Sequence, residues 1–223
     1  MCGRVAQFMS WAEIYHLLNI HNLPPGAPLE PRYNVAPTTQ VQVVLPLEDD
    51  ARVAPARWGW RPHWAQDRAA PINARAEKVA HGPFFRSIWP NRMLCPVSGW
   101  FEWVDEGEKR KQPYFIRRRD GTPTLCASIG QVHDEPQDSD GFVIITADAL
   151  GGMVDVHDRR PVAFSPALAR EWLDPATPRE RAEEMLAAGE GPDVFEWYRV
   201  DRAVGNVRNQ GPQLVDPLPA QLI

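Results

Sequence analysis

Prolines recur along the whole chain and limit the length of any helix. The 223 residues include 23 prolines, roughly twice the usual share of about 5%. A proline inside a helix removes a main-chain hydrogen bond and clashes with the preceding turn, so this sequence favours short strands and structured loops. The chain is long enough for one sizeable hydrophobic core. We therefore expect a single domain over residues 1–223.

Short runs of β-forming residues alternate with clusters of Gly, Pro and Asp, which is typical of an antiparallel sheet or barrel. Strands are predicted at residues 41–45, 52–58, 92–97, 99–104, 113–118, 124–129, 142–146 and 195–200. The spacing also predicts hairpins through residues 105–111 and through Asp120 and Gly121. The acidic segment 134–140 is predicted to be a solvated hairpin turn.

Helical patterns are fewer and shorter. Ser10 and Glu13 have the spacing of a capping box and precede an apolar helical pattern at residues 11–18. This helix should end before a turn at residues 24–26. Later helical signals cover residues 166–173 and 178–188. The predicted fold class is α+β, with a strand-rich, barrel-like antiparallel core and flanking helices.

Composition narrows the classes of function. Apolar runs are too short to cross a bilayer and the N-terminus lacks a signal pattern, so we expect a soluble, cytoplasmic protein with no membrane partner. Three cysteines, Cys2, Cys95 and Cys126, lack the spacing of a zinc site, and their odd number argues against a disulfide framework. The net charge of −5 gives no general reason to bind nucleic acid, so any DNA contact requires a local basic patch.

The amino terminus offers unusual chemistry. A small residue follows Met1, so removal of Met1 is expected and leaves Cys2 with a free α-amine beside its thiol. An α-amine has a pKa of about 7.7 to 8.0, well below that of lysine, and is suited to imine formation with an aldehyde. The thiol can then add to the same carbon and close a thiazolidine ring. The alternative is that Cys2 is incidental, as most cysteines at this position are.

Seven motifs follow one another over nearly the whole chain. They are MCGR at 1–4, PRYNVAPT at 31–38, RWGWRPHW at 57–64, INARAE at 72–77, GWFEW at 99–103, HDRRP at 157–161 and VGNVRN at 204–209. Together they resemble the SRAP (SOS response-associated peptidase) family of abasic-site-processing proteins. The resemblance implies a DNA groove on one face and a covalent link from Cys2 to abasic sites in single-stranded DNA. No metal or organic cofactor is expected, and a monomer is the default.

The resemblance also implies catalytic roles for Glu102, His157 and Asn73. Glu102 lies in an apolar run where an unpaired carboxylate is costly to bury, and in the family the matching residue lies beside the Cys2 amine; otherwise it is a strand-edge glutamate facing water. The near-neutral pKa of histidine suits His157 to proton transfer, although a lone loop histidine usually has no role. The family usually has methionine where this chain has Arg160.

DNA contacts are implied for a second group of residues. Asn73 and Arg75 project to one side if their segment is extended, so the amide can contact the abasic sugar while the guanidinium binds a phosphate. Arg159 matches a second phosphate-binding arginine and Arg4 is next to the nucleophile. Taken alone, each arginine is better explained as part of a surface salt bridge, and only the resemblance favours a phosphate contact.

Apolar walls for base stacking are expected from Trp103 and Pro37, and more weakly from Trp58 and Trp60. Asn34 is a further DNA-binding candidate, or else a structural residue of its turn.

Two other functions remain open on the sequence. Cys2, His157 and an acid can be read as the catalytic set of a cysteine peptidase, with any cleavage being self-processing at Met1. The chain can also be a DNA-binding scaffold without catalysis, in which case replacing Cys2 changes nothing.

Overall fold

The computed structural model describes residues 2–21, 29–48 and 50–219. These residues form two sheets with helices on the outside. The first sheet has the strand order β13 (Phe195–Arg199), β8 (Gln112–Arg118), β7 (Gly99–Val104), β1 (Val5–Gln7) and β2 (Arg32–Val35). The second sheet has the order β11 (Arg159–Pro161), β10 (Gly141–Asp148), β9 (Thr124–Gln131), β6 (Arg92–Val97), β3 (Gln40–Pro46) and β4 (Ala51–Arg57), with β12 (Ala163–Phe164) on β9 and β5 (Asn73–Arg75) on β10. The α-helices are α1 (Trp11–Leu18), α2 (Ala76–Val79), α3 (Pro166–Leu173) and α4 (Arg179–Ala187).

One apolar cluster lies between the two sheets and joins them. It takes Trp100 and Ile116 from the first sheet and Cys95 and Phe142 from the second. Side chains alternate across a strand, so on β7 the next residue, Phe101, belongs instead to a cluster on the outer face of the first sheet. The same alternation returns Glu102 to the side of Trp100, towards the space between the sheets.

Each sheet is covered on its outer face by a different layer. Helices α1, α3 and α4 pack on the second sheet through residues such as Ile14 and Trp172. The C-terminal segment packs on the first sheet through Val204 and Leu214. No helix in the described part of the chain is long and apolar enough to cross a membrane.

The predicted α+β class and strand-rich core are confirmed, and α1, α3, β6 and β7 have the predicted bounds. The hairpin through residues 105–111 is confirmed, because β7 and β8 pair antiparallel. The segment 134–140 joins the antiparallel strands β9 and β10, as predicted. The turn expected at residues 24–26 lies outside the described residues.

Two local predictions are wrong. The hairpin through Asp120 and Gly121 does not form, because β8 pairs with β7 and β13 whereas β9 pairs in the other sheet; this turn carries the chain from one sheet to the other. Ser10 occupies the N-cap of α1, but its side chain makes no capping hydrogen bond there.

Candidate functional site

Cys2 lies at the edge of the apolar cluster between the sheets. It is only 1% exposed, and it directly precedes the segment that pairs with β7 and β2. Burial raises the pKa of the Cys2 thiol well above its usual value, and the carboxylate of Glu102 and the thiol of Cys126 add to the increase. The main-chain N–H of Arg4 has the opposite, smaller effect. The thiol is therefore protonated at neutral pH.

Asn73 contacts Cys2 directly, although the two residues are far apart in sequence. Its Nδ2 donates a hydrogen bond of 2.8 Å to the main-chain carbonyl of Cys2. The strand that carries Asn73 is fixed by parallel pairing with β10, where Asn73 lies opposite Ile144. The side-chain Oδ1 of Asn73 is buried and has no hydrogen-bond partner within the part of the chain that the structure describes. An acceptor in this state is suited to a hydroxyl donor on a ligand.

Glu102 is a buried acid on β7, on the side of the first sheet that faces the second sheet. It is 4% exposed, and burial raises the pKa of its carboxyl group to about 7, with a further contribution from Asp158. A carboxyl group with a pKa close to neutral pH is able both to accept and to donate a proton. This environment excludes the alternative of a glutamate facing water.

His157 follows a 3-10 turn at Gly151–Asp155 and is held by its own main chain, whose N–H donates to Met153 at 3.1 Å. Its Nδ1 lies 2.9 Å from the main-chain N–H of Arg159 and 2.6 Å from the carboxylate of Asp158. Partial burial lowers the pKa of the imidazole, and the charge of Asp158 opposes this effect. The lowered pKa favours the neutral ring at pH 7, and a neutral imidazole is able to accept a proton.

Arg4 joins the site to the C-terminal segment. Its guanidinium donates to Asn34 Oδ1 at 2.7 Å and to the carbonyl of Val204 at 2.8 Å. The same group lies 5.5 Å from the ring centroid of Trp103, which is partly exposed. This contact is within the range of a cation–π interaction and fixes the face that the tryptophan presents.

The side-chain amide of Asn34 forms hydrogen bonds within the protein. It is 3% exposed, and its Nδ2 lies 3.0 to 3.1 Å from three main-chain carbonyls, those of Val204, Asn206 and Asn209. Together with the bond from Arg4, these contacts use the hydrogen-bonding capacity of the amide. In this arrangement Asn34 acts as a structural clamp on the C-terminal segment.

The two predicted phosphate-binding arginines differ in their surroundings. Arg75 is exposed, two residues beyond Asn73 on β5. Arg159 is buried and donates to both oxygens of Glu77 at 3.0 and 3.1 Å, and to Asp148 at 2.5 Å. Any phosphate at Arg159 has to compete with these carboxylates.

The expected apolar walls are only partly present. Pro37 is half-buried in a turn and remains available. Trp58 is fully buried, with its indole N–H donating to the carbonyl of Ile72 at 2.9 Å, and Trp60 is also buried in the core. The prediction that these two tryptophans stack on bases is therefore wrong.

Asp158 is a site residue that the sequence reasoning missed. Its carboxylate contacts His157 and contributes to the raised pKa of Glu102. The available signal was its place in the HDRRP motif, directly after the histidine.

Comparisons with known proteins identify the family of this chain. The SRAP family model, described as SOS response associated peptidase, matches residues 1–207. Abasic site processing protein YedK of Escherichia coli (strain K12) is 43% identical over 98% of this chain and 100% of its own, and abasic site processing protein YoqW of Bacillus subtilis (strain 168) is 29% identical over 97% of this chain and 99% of its own. The crystal structure of a phage-related protein from Bordetella bronchiseptica has a TM-score of 0.75 at 40% identity, over 90% of this chain and 95% of that one. The chain belongs to the SRAP family of abasic site processing proteins.

Proposed function

We propose that this protein captures abasic sites in single-stranded DNA through a covalent bond to Cys2, after Met1 has been removed. The observation that carries the proposal is the direct contact of Asn73 with the carbonyl of Cys2, beside a buried carboxyl group with a pKa near 7. Asn73 contacts Cys2 directly, and Glu102 is near enough for its charge to raise the pKa of the Cys2 thiol. Both residues are therefore candidates to act on the α-amine of Cys2.

The reaction begins with the neutral α-amine of Cys2. The amine attacks the aldehyde carbon of the ring-opened deoxyribose, and loss of water gives an imine. The Cys2 thiol then adds across the C=N bond: sulfur bonds to carbon, the thiol proton moves to nitrogen, and a thiazolidine ring closes. A protonated thiol suits this order, because the amine rather than a thiolate acts first.

The other residues assist proton movements and orientation. Glu102 accepts a proton from the amine and returns it when water leaves, which a pKa of about 7 allows. His157, neutral at pH 7, accepts the hydroxyl proton during opening of the sugar ring. The unpartnered Oδ1 of Asn73 accepts a hydrogen bond from a hydroxyl group of the sugar.

The imine has a second fate. A base near the imine can remove a proton from the carbon next to it, and β-elimination then breaks the DNA strand on the 3′ side. Closure of the thiazolidine suppresses this route. We therefore propose capture as the main activity and abasic lyase activity as a side reaction.

A cysteine peptidase is the main rival, and the environment of Cys2 disfavours it. Peptide cleavage needs a thiolate, whereas burial raises the pKa of this thiol. We restrict any peptide cleavage to self-processing at Met1. Because Cys2 is 1% exposed in the chain that carries Met1, we propose that processing precedes DNA access.

The test is a denaturing gel of purified protein with an oligonucleotide that carries one abasic site. Removal of Met1 is first verified by mass spectrometry. Wild type should give a heat-stable shifted band that requires the lesion. Cys2→Ala keeps an α-amine but no thiol, so it should give no heat-stable band and only a band trapped by borohydride. Cys126→Ala, which removes another buried thiol, is the matched control and should still give the heat-stable band.

A second arm separates capture from peptidase activity. Acetylation of the α-amine with the thiol left free should abolish the band, because the imine cannot form. If acetylated protein still captures DNA, or if processed wild type gives no band, the proposed mechanism is wrong. A scaffold without catalysis predicts that Cys2→Ala leaves every measured property unchanged.

A further inference from the structure

The loop that follows the catalytic strand is a compact arm with a fixed base. Strand β7 carries Glu102 and continues directly into residues 105–111, which we call the basic arm. Three residues of a strand span about 10 Å, so the arm begins close to the site. At its other end Gln112 is buried, and its Nε2 donates to the carbonyls of Pro113 at 3.0 Å and Val200 at 2.8 Å. These bonds hold the base of the arm in place.

The acidic residues of the arm are already engaged. Glu106 pairs with Arg199 at 2.6 Å, and Glu108 pairs with Arg202. Asp105 accepts a hydrogen bond of 3.0 Å from the main-chain N–H of Gly107. Two of the three negative charges are therefore balanced by arginines that lie outside the arm.

The basic residues of the arm are not engaged in this way. Lys109, Arg110 and Lys111 are consecutive and exposed. Across residues 2–21, 29–48 and 50–219, none of their side chains forms an ion pair within 4.0 Å. In a protein with a net charge of −5, three adjacent cations with balanced neighbours form a local positive surface.

The strand that carries Glu102 leads into this surface, and one of its charges acts on the candidate site. The charge of Lys111 is close enough to His157 to lower the pKa of the imidazole. DNA held with its lesion at Cys2 therefore passes within electrostatic range of the arm.

We propose that Lys109, Arg110 and Lys111 bind the phosphates of single-stranded DNA next to the captured lesion. This inference rests on the proposed function, and it assigns a second anchoring surface to the same site. Phosphate contacts carry no sequence information, which fits a protein that has to meet lesions in any sequence. The contacts position the strand before the chemistry begins.

The test measures affinity for a fluorescent oligonucleotide without a lesion, by anisotropy over a series of salt concentrations. The arm variant combines Lys109→Gln, Arg110→Gln and Lys111→Gln. The matched control combines Arg117→Gln, Arg179→Gln and Arg181→Gln, which removes the same charge from arginines that are paired with glutamates in the structure. Thermal unfolding checks that both variants fold.

The arm variant should bind at least tenfold more weakly than the control at low salt. The slope of log K against log salt should become shallower by about 0.7 for each lost phosphate contact.

Equal affinities and slopes in the arm variant and the control overturn the inference, whatever the capture rate. Wild type that does not bind the lesion-free strand overturns it as well. If wild type binds that strand through the arm but captures no abasic site, the proposed function fails while the arm remains a DNA contact. The two proposals therefore fail separately.

Discussion

The amide of Asn73 donates a 2.8 Å hydrogen bond to the main-chain carbonyl of Cys2, across 71 positions of sequence. The same side chain leaves its buried Oδ1 without a partner in the residues that the structure describes. One end of Asn73 therefore holds Cys2, the proposed nucleophile, while the other end is available to a ligand.

Replacing Asn73→Asp should slow covalent capture by at least tenfold. The carboxylate cannot donate to the Cys2 carbonyl, and a lost hydrogen bond costs about 1 kcal/mol, more when a buried acceptor is left unpaired. The measurement is the first-order rate of capture at saturating DNA. Thr177→Val is the control, because it removes a hydroxyl that donates to a main-chain carbonyl, at 2.6 Å, in the connection between α3 and α4. Equal rates in the two variants would show that Asn73 does not position Cys2.

Glu102 should make the protein less stable as pH rises from about 4.3 to about 7. In the unfolded chain a glutamate ionises near 4.3, whereas in the folded protein burial holds the pKa of Glu102 at about 7. Between these values the unfolded state releases the proton first, so the free energy of unfolding falls, by up to about 4 kcal/mol over the window. Above pH 7 this loss is complete.

Urea unfolding at pH 5 and pH 8 checks the expectation. Glu102→Gln should remove most of the stability difference that wild type shows between the two conditions. Glu135→Gln, in the exposed loop after β9, is the control and should retain it. If the stability difference between pH 5 and pH 8 is as large in Glu102→Gln as in wild type, other groups cause the pH dependence.

Much of the strand core and the residues of the candidate site were predictable from the sequence, because strand-forming runs and motifs are both recognised from neighbouring residues. The bounds of β6 and β7 follow from runs of β-forming residues that end at Ser98 and near Asp105. Cys2, Asn73 and Glu102 were identified by motifs, and the structure brings them together. The strands that escaped prediction, such as β5 and β12, have two or three residues, too few for a periodic pattern.

Long-range pairing explains the errors. Asp120 and Gly121 form a turn, as their sequence predicts. A turn sequence does not determine whether the next strand joins the same sheet or the other one. Trp58 is buried because its segment ends against Phe142 of β10, a contact across 84 positions that its motif does not encode. A motif therefore identifies a tryptophan but does not reveal whether tertiary packing buries it.

Asn34→Ala should lower stability by roughly 2 to 4 kcal/mol, because it removes the hydrogen bonds of Asn34 to three main-chain carbonyls and to the Arg4 guanidinium. Arg4 and the carbonyl of Val204 keep the bond that joins them. Urea unfolding measures the loss. If Asn34 instead binds DNA, the variant should keep its stability and lose affinity for a lesion-free oligonucleotide. Asn91→Ala, outside this network, serves as the control for removal of an asparagine side chain.

Glu77→Gln should strengthen DNA binding if Arg159 binds a phosphate. The guanidinium of Arg159 is held by both oxygens of Glu77 and by Asp148, so a phosphate has to displace a carboxylate or share the arginine with it. Removing the Glu77 charge should raise affinity for a lesion-free oligonucleotide about three- to tenfold, at a stability cost of about 1 kcal/mol or less, because Glu77 is half-exposed. Glu171→Gln is the matched control, since it frees Arg181 from a similar pair elsewhere on the surface. If both variants bind DNA with the same affinity, Arg159 does not bind a phosphate and instead connects β11 to α2 and β10 through Glu77 and Asp148.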